Sequence, residues 1–266
     1  MAVEAERPLE PDLRVVVLHA LPDEVRFCGP VLGPIESQAW GSGSPGRENR
    51  SSATFSVPLA LSLCIGVGTE NAAQNTERML IQHPATRAVI IIGYAGGLAA
   101  ALDPGSLLVA DTVSNGLSGP TYHADPTLLS TASEIRPFGD RVHYGALVTA
   151  DRVLVRSAEK EQYALRTNAL AVDMESAGAA AVATEYGVPW LAVRVITDGV
   201  NDDLPLDFNA LANPDGSVNR GRIVAETLLH PWKIPALIRL GSRSSLASRR
   251  LAEFLVLLLS RIGPGE

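Results

Sequence analysis

Cysteine is scarce. Cys28 and Cys64 are the only two in 266 residues, and neither sits in a C-x-x-C pair or at a metal-ligand spacing. A disulfide framework and a cysteine-based metal site are therefore excluded as organising features, and a reducing, cytoplasmic setting is expected. Long apolar runs are also missing: Ala88 to Ile92 and Phe254 to Leu259 fall far short of the roughly 20 residues that a membrane span needs. The segment Met1 to Glu6 is acidic and lacks the basic and apolar regions of a secretion signal. Positive charge is in short supply as well. A net charge of −7 and a pI near 5.3 argue against a nucleic-acid binder, which would carry a basic surplus on one face, and favour a small-molecule partner.

Several catalytic signatures are absent. There is no G-x-x-x-x-G-K-[ST] loop, no H-E-x-x-H, no G-x-S-x-G elbow, and neither glycine cluster spells G-x-G-x-x-G. That removes P-loop NTPases, zincins, serine hydrolases and the standard dinucleotide enzymes. No metal and no organic cofactor is called for.

What is present is one α/β pattern. With 46% hydrophobic residues, the chain is long enough for a single large domain with a filled core. Apolar, β-branched runs at Leu13–Leu18, Leu59–Ile65, Ala88–Ile92, Leu107–Ala110, Val142–Val148, Ala169–Val172 and Trp190–Ile196 read as buried strands. Helical segments follow at Thr69–Ile81, with Thr69 as N-cap, and at Met174–Tyr186. Strands alternating with helices predict a single α/β domain with a mixed, mostly parallel central sheet flanked by helices. Gly41–Ser52 reads as a polar hairpin tip and Asn213–Gly216 as a turn. Residues 1–229 are assigned to this domain and 230–266 to a helical C-terminal arm. Between His230 and Ile262, six basic residues face one acid, so the arm carries +5 and the rest of the chain −12. That arm either lies on an anionic membrane surface, a peripheral contact at the inner face, or packs on the sheet as a helix pair.

Two ordered motifs carry the chemistry. Gly93-Tyr94-Ala95-Gly96-Gly97-Leu98, followed by Gly105 to Asp111, is similar to the G-x-A-G-G-L…G-D-[LI]-V-V-x-D signature of the nucleoside phosphorylase and nucleosidase superfamily. Asp173-Met174-Glu175-Ser176, then Val188-Pro189 and Arg194 to Asp198, resembles its [ED]-M-E-[AS]…G-[VI]-P…R-x-[IV]-[ST]-D. The resemblance spans most of Arg14 to Asp207. The endings Leu204 to Asn209 and His230 to Leu237 look like the hopanoid-associated phosphorylase branch.

The resemblance implies cleavage of a purine N-ribosyl bond, and it distributes the roles. Asp198 would give a proton or a hydrogen bond to purine N7, because an anionic purine leaves poorly. The bland alternative is that Asp198 caps the next segment. Glu175, with Met174 beside it, would hold the ribose hydroxyls; a helix-start acid favoured by the macrodipole is the plainer account. Glu24 matches the acid that hydrolytic members use to activate water, and otherwise is a solvated surface residue. Gly66, Gly68, Gly93, Tyr94, Ala95 and Gly96 would turn backbone N–H groups toward the nucleophile, phosphate or water, or are ordinary turns. Tyr94 stands where many members have a small Ser or Thr. Val153 and Leu154 align with the segment that stacks on the base, or else fill the core. The loop dipeptide Tyr122-His123 is a further candidate for lining the sugar pocket.

Three functions follow as expectations. The first is phosphorolysis releasing adenine from a 5′-substituted adenosine, with an adenosyl-hopanoid as substrate. The second is a hydrolytic nucleosidase of the methylthioadenosine or adenosylhomocysteine type. The third is a nucleoside-binding protein without turnover. A homo-oligomer is expected from the resemblance.

Overall fold

A computed structural model describes residues 15–28, 32, 60–135, 141–211 and 229–262. The expected hairpin tip at Gly41–Ser52 and the turn at Asn213–Gly216 lie outside the described residues.

The apolar runs become strands because each can bury both faces. In chain order they are β1 (Val15–His19), β2 (Leu61–Cys64), β3 (Ala88–Gly97), β4 (Leu107–Asn115), β5 (Thr121–His123), β6 (Val142–Thr149), β7 (Ala171–Asp173) and β8 (Trp190–Asp198). All five residues of β1 and all nine of β8 are buried. The helices are α1 (Thr69–Gln82), α2 (Pro126–Ser133), α3 (Ser157–Thr167), α4 (Ser176–Glu185), α5 (Phe208–Leu211) and α6 (Ile234–Ile262), with short 3-10 turns at Pro22–Val25 and Pro231–Lys233.

The sheet is mixed and mostly parallel, as the sequence pattern predicts. Strand β1 lies parallel between β2 and β3. Beyond β3 the pairing closes on itself: β3 with β8, β8 with β4, β4 with β6, β6 with β7, and β7 back to β3. Closure requires β3 to serve three neighbours. Its first half sits between β1 and β8, and its last two residues, Gly96 and Gly97, swing to β7 across a register shift after Ala95. Bulges of this kind bend a strand and re-aim its ends.

Several boundaries differ from the sequence expectation. Strand β3 runs five residues past Ile92, so Gly93 to Gly97 are extended strand and not a turn. Gly68, not Thr69, caps α1, because the Thr69 hydroxyl is engaged with the Met174 carbonyl (3.1 Å). Tyr122-His123 is no loop: it belongs to β5, an edge strand antiparallel to β4, with His123 exposed. Helices α2 and α3 carry too few apolar residues to stand out by periodicity. Helix α2 is instead fixed locally by Asp125, whose carboxylate accepts the N–H groups of Thr127 and Leu128 (both 2.9 Å).

The C-terminal arm is one helix and not a pair. Ala247, Leu251, Ala252, Phe254, Leu255, Leu258 and Leu259 recur at helical spacing and join the main core, packing against β8. The first half of the same helix leaves Ile234, Ile238 and Leu246 exposed. Phe254→Ala is expected to lower the free energy of unfolding by about 3–5 kcal/mol, whereas Ile238→Ala stays within about 0.5 kcal/mol. Urea unfolding of the two variants checks the contrast.

Candidate active site

Four acids gather where β1, β3, β7 and β8 end. Glu24 stands on the 3-10 turn after β1 and reaches back. Its Oε2 accepts the N–H groups of Ala20 (2.8 Å) and Leu21 (2.9 Å), and its Oε1 accepts that of Tyr94 on β3 (3.0 Å). Only 2% of Glu24 is exposed. Burial pushes its carboxyl above the ordinary range, opposed by the charge of Arg194 and the three backbone donors.

Arg194 is 1% exposed in the middle of β8. Its guanidinium bonds the Ser176 hydroxyl (2.9 and 3.1 Å), the Ile92 carbonyl (3.3 Å) and Asp173 Oδ2 (2.5 Å), and lies 3.9 Å from Glu175 Oε2. Asp173 is further held by the Thr149 hydroxyl (2.6 Å) and the Ser176 N–H (3.0 Å). Gly93 is obligatory here, since a Cβ would collide with the Arg194 guanidinium and crowd Glu24. Glu175 accepts the Gly68 N–H (3.1 Å). Its carboxyl is pushed up to about 7, first by burial and then by the charges of Asp173 and Glu24, against the pull of Arg194 and the Gly68 donor. One guanidinium thus serves three carboxylates.

Asp198 ends β8 beside Gly96 and Val172 and has a different partner. Lys160 of α3, 1% exposed, donates to Asp198 Oδ2 (2.5 Å), and the Thr197 hydroxyl donates to Oδ1 (2.7 Å). The same ammonium also reaches the carbonyls of Gly199 (2.8 Å) and Asp202 (2.9 Å). An open cleft of about 600 Å³ borders the acid cluster through Thr69 and Thr149 and is also lined by Asp151 and Tyr163.

Against known proteins, the model of a family described as the phosphorylase superfamily matches residues 46–230. The chain belongs to the phosphorylase superfamily. Membership places it among enzymes of N-glycosidic bond cleavage. It is 29% identical over 167 residues to the 5′-methylthioadenosine/S-adenosylhomocysteine nucleosidase of Listeria monocytogenes, covering 54% of this chain and 70% of that one. Identity to the enzyme of the same description from Mycobacterium tuberculosis is 25% over 182 residues, with 54% and 71% covered. Among solved structures, a nucleosidase of that description from Streptococcus pneumoniae, bound to a transition-state inhibitor, superposes with a TM-score of 0.64. It shares 18% identity, with 93% of this chain and 99% of that one covered. A futalosine hydrolase of Helicobacter pylori gives 0.65 at 16% identity, covering 93% and 97%. The structural likenesses establish a shared fold.

Within this superfamily fold, the residues expected from the sequence are only partly brought together. Glu24, Glu175 and Asp198 all lie buried at the same strand ends, and Met174 offers its carbonyl to Thr69. The glycine loops behave differently from expectation. Gly66 and Gly68 do turn, with φ of 77° and 92°, but the Gly68 N–H is already given to Glu175. The Tyr94 N–H is likewise spent on Glu24. Its phenol points away from the acids to Ser248 on α6 (2.6 Å). Gly93, Ala95 and Gly96 are strand, and the missing side chains of Gly93 and Gly96 make room for Arg194 and Asp198. Leu154 is buried in a satellite core with Leu98, Val148 and Val172, which leaves it no open face for a base. The peptide of Val153 exchanges two 2.9 Å bonds with the Asn209 carboxamide.

Sequence reasoning left Asp173, Ser176, Thr149, Arg194 and Lys160 without roles. Arg194 had a signal, a lone charge inside an otherwise apolar strand. Lys160 had none, because it sits among the charged residues of a surface-like helix.

Glu175 binds its proton more tightly in the fold than at its ordinary value of 4.5. Its stabilising contribution is therefore complete below that value and is lost as the pH rises to about 7. Glu175→Gln is expected to flatten the fall in Tm across this window in a thermal-shift series; an unchanged slope counts against the assignment.

Proposed function

We propose that this chain is a nucleosidase, hydrolysing the bond between adenine and the ribose of a 5′-substituted adenosine with water as nucleophile. The observation that carries the reading is Glu24, a buried carboxylate held by three N–H groups, with its proton affinity raised by burial. Such a group is a stronger base than a free carboxylate, which suits it to take a proton from water. In this scheme Glu24 takes the proton of the attacking water. Glu175 binds the ribose hydroxyls and offsets the positive charge that builds on the sugar as C1′–N9 opens, and the departing purine meets Asp198 at N7. Arg194 and Asp198 are four residues apart on one strand, about 13 Å at 3.3 Å per residue, so a sugar end and a base end are separated along it.

Phosphorolysis, the first expectation from the sequence, is less well supported. Among the described residues the buried cationic side chains are Arg194 and Lys160, and both are committed to carboxylates. Arg26 and Arg87 are exposed. A phosphate anion would meet three acids sharing one guanidinium, which Coulomb repulsion disfavours. The relatives described above are nucleosidases and a hydrolase, and the adenosyl-hopanoid expected from the resemblance draws no support from them. The nucleosidases among them are named for 5′-methylthioadenosine and S-adenosylhomocysteine, and a 5′-thio-substituted adenosine is the substrate class we carry to this chain.

Incubation with 5′-methylthioadenosine is expected to release adenine and free methylthioribose at a rate independent of phosphate. A phosphorylated sugar product would overturn the hydrolytic reading, and saturable binding without adenine would favour a non-catalytic binder. Asp198→Asn and Glu24→Gln are each expected to lower kcat by about 10²–10⁴-fold. The acid limb of kcat/KM should lie above the ordinary carboxylate range and become less steep in Glu24→Gln, because the base works only when ionised and Glu175 alone then titrates.

We further propose that the first half of α6 rests on an anionic bilayer surface. Trp232, on the 3-10 turn just before α6, is 70% and Ile238 63% exposed, and Arg239 follows Ile238 on the helix, on a chain that is otherwise acidic. No helix of the described residues is long and apolar enough to cross a membrane. Sedimentation with phosphatidylcholine vesicles should require added phosphatidylserine and be lost in Trp232→Ala/Ile238→Ala; equal pelleting of the variant refutes the contact.

A further inference from the structure

We infer that Lys160 is the source of the proton delivered to the departing base, with Asp198 as the relay between its ammonium and purine N7. The inference rests on the nucleosidase reading above and adds a residue from α3, outside both sequence motifs.

The hydrogen-bond count decides where the proton resides. Lys160 Nζ donates to three acceptors, Asp198 Oδ2 (2.5 Å), Gly199 O (2.8 Å) and Asp202 O (2.9 Å). A neutral amine has two N–H bonds and an ammonium three, so this nitrogen is an ammonium. Asp198 accepts at both oxygens, from Lys160 at Oδ2 and from the Thr197 hydroxyl at Oδ1. Both carboxyl oxygens are thus already engaged by neighbouring groups before a purine arrives. Purine N7 is also an acceptor, and a bare carboxylate set against it would bring two lone pairs together. The proton that N7 needs is on the lysine side of the pair.

The step balances as follows. The C1′–N9 bond breaks and its electron pair stays on the purine. As negative charge builds on the ring, one Nζ–H bond of Lys160 breaks, the proton passes to Asp198 Oδ2, and the resulting carboxyl O–H turns to N7 and protonates it. Neutral adenine leaves, with Asp198 again a carboxylate and Lys160 a neutral amine that regains its proton from solvent. The water that attacks C1′ gives its own proton to Glu24. Burial favours this transfer, since Lys160 is 1% and Asp198 7% exposed. Charges stripped of hydration lie closer in energy to their neutral tautomer than they would in water.

Lys160 also ties α3 to the loop after β8, so a purely structural role must be separable. The separating probe is a substrate whose leaving group needs no proton, 4-nitrophenyl β-D-ribofuranoside. In Lys160→Met, adenine release from methylthioadenosine is expected to fall about 100-fold or more with little change in KM, while nitrophenolate release stays near wild type. Lys160→Arg keeps the positive charge but holds a proton that arginine does not give up. It should be as slow toward adenine as the methionine variant, and it serves as the readout if Lys160→Met does not fold. Equal losses on both substrates, or adenine release near wild type in either variant, overturn the inference. Failure of wild-type protein to release adenine from any 5′-substituted adenosine would instead overturn the nucleosidase reading.

Discussion

The buried guanidinium of Arg194 is the interaction on which the rest of the site depends. A cation 1% exposed in an otherwise apolar strand would be prohibitively unstable without partners, since moving an isolated charge into a medium of low polarity costs tens of kcal/mol by Born estimates. It persists because Asp173, Ser176 and the Ile92 carbonyl meet it directly. Gly93 stands aside so that the side chain can lie across the next strand. Glu24 and Glu175 then approach the same charge from β1 and from the start of α4.

The charge balance around that guanidinium is uneven, and the unevenness has chemical use. Burial strips Glu24 and Glu175 of hydration, and the one guanidinium they share with Asp173 offsets this only in part, so both hold protons more readily than free carboxylates do. At the far end of β8 the balance is different. Asp198 has a cation to itself, Lys160. One end of the site thus takes up protons readily, and the other holds a proton on a buried ammonium. Breaking a glycosidic bond with water needs both, a base for the nucleophile and an acid for the leaving group.

The closed pairing of β3, β8, β4, β6 and β7 holds β8, which carries both Arg194 and Asp198, against β3. The bulge after Ala95 lets β3 meet both β8 and β7, which sets Gly96 beside Asp198 and Val172. Helix α6 extends the same core. Its Ser248 holds the Tyr94 phenol outward, so the bulky residue found in place of a small one does not occupy the acid cluster.

Much of this was legible in the chain itself. Continuous β-branched runs announced buried strands, and the segments around Asp173–Ser176 and Arg194–Asp198 marked Glu175 and Asp198 because their spacing is local. Glu24 also lies a few residues beyond a legible strand. What only the tertiary structure decided are the partners. The pairing of Lys160 with Asp198 spans 38 residues, and that of Tyr94 with Ser248 spans 154. The extension of β3 through its glycines was equally hidden. Glycine in sequence suggests a turn, and only the presence of Arg194 beside Gly93 shows that the missing side chain makes space. Periodicity and short motifs record what neighbouring residues do along one element. Hydrogen bonds between distant elements leave no period, so the residues that set the protonation of the site become visible only once the strands are paired.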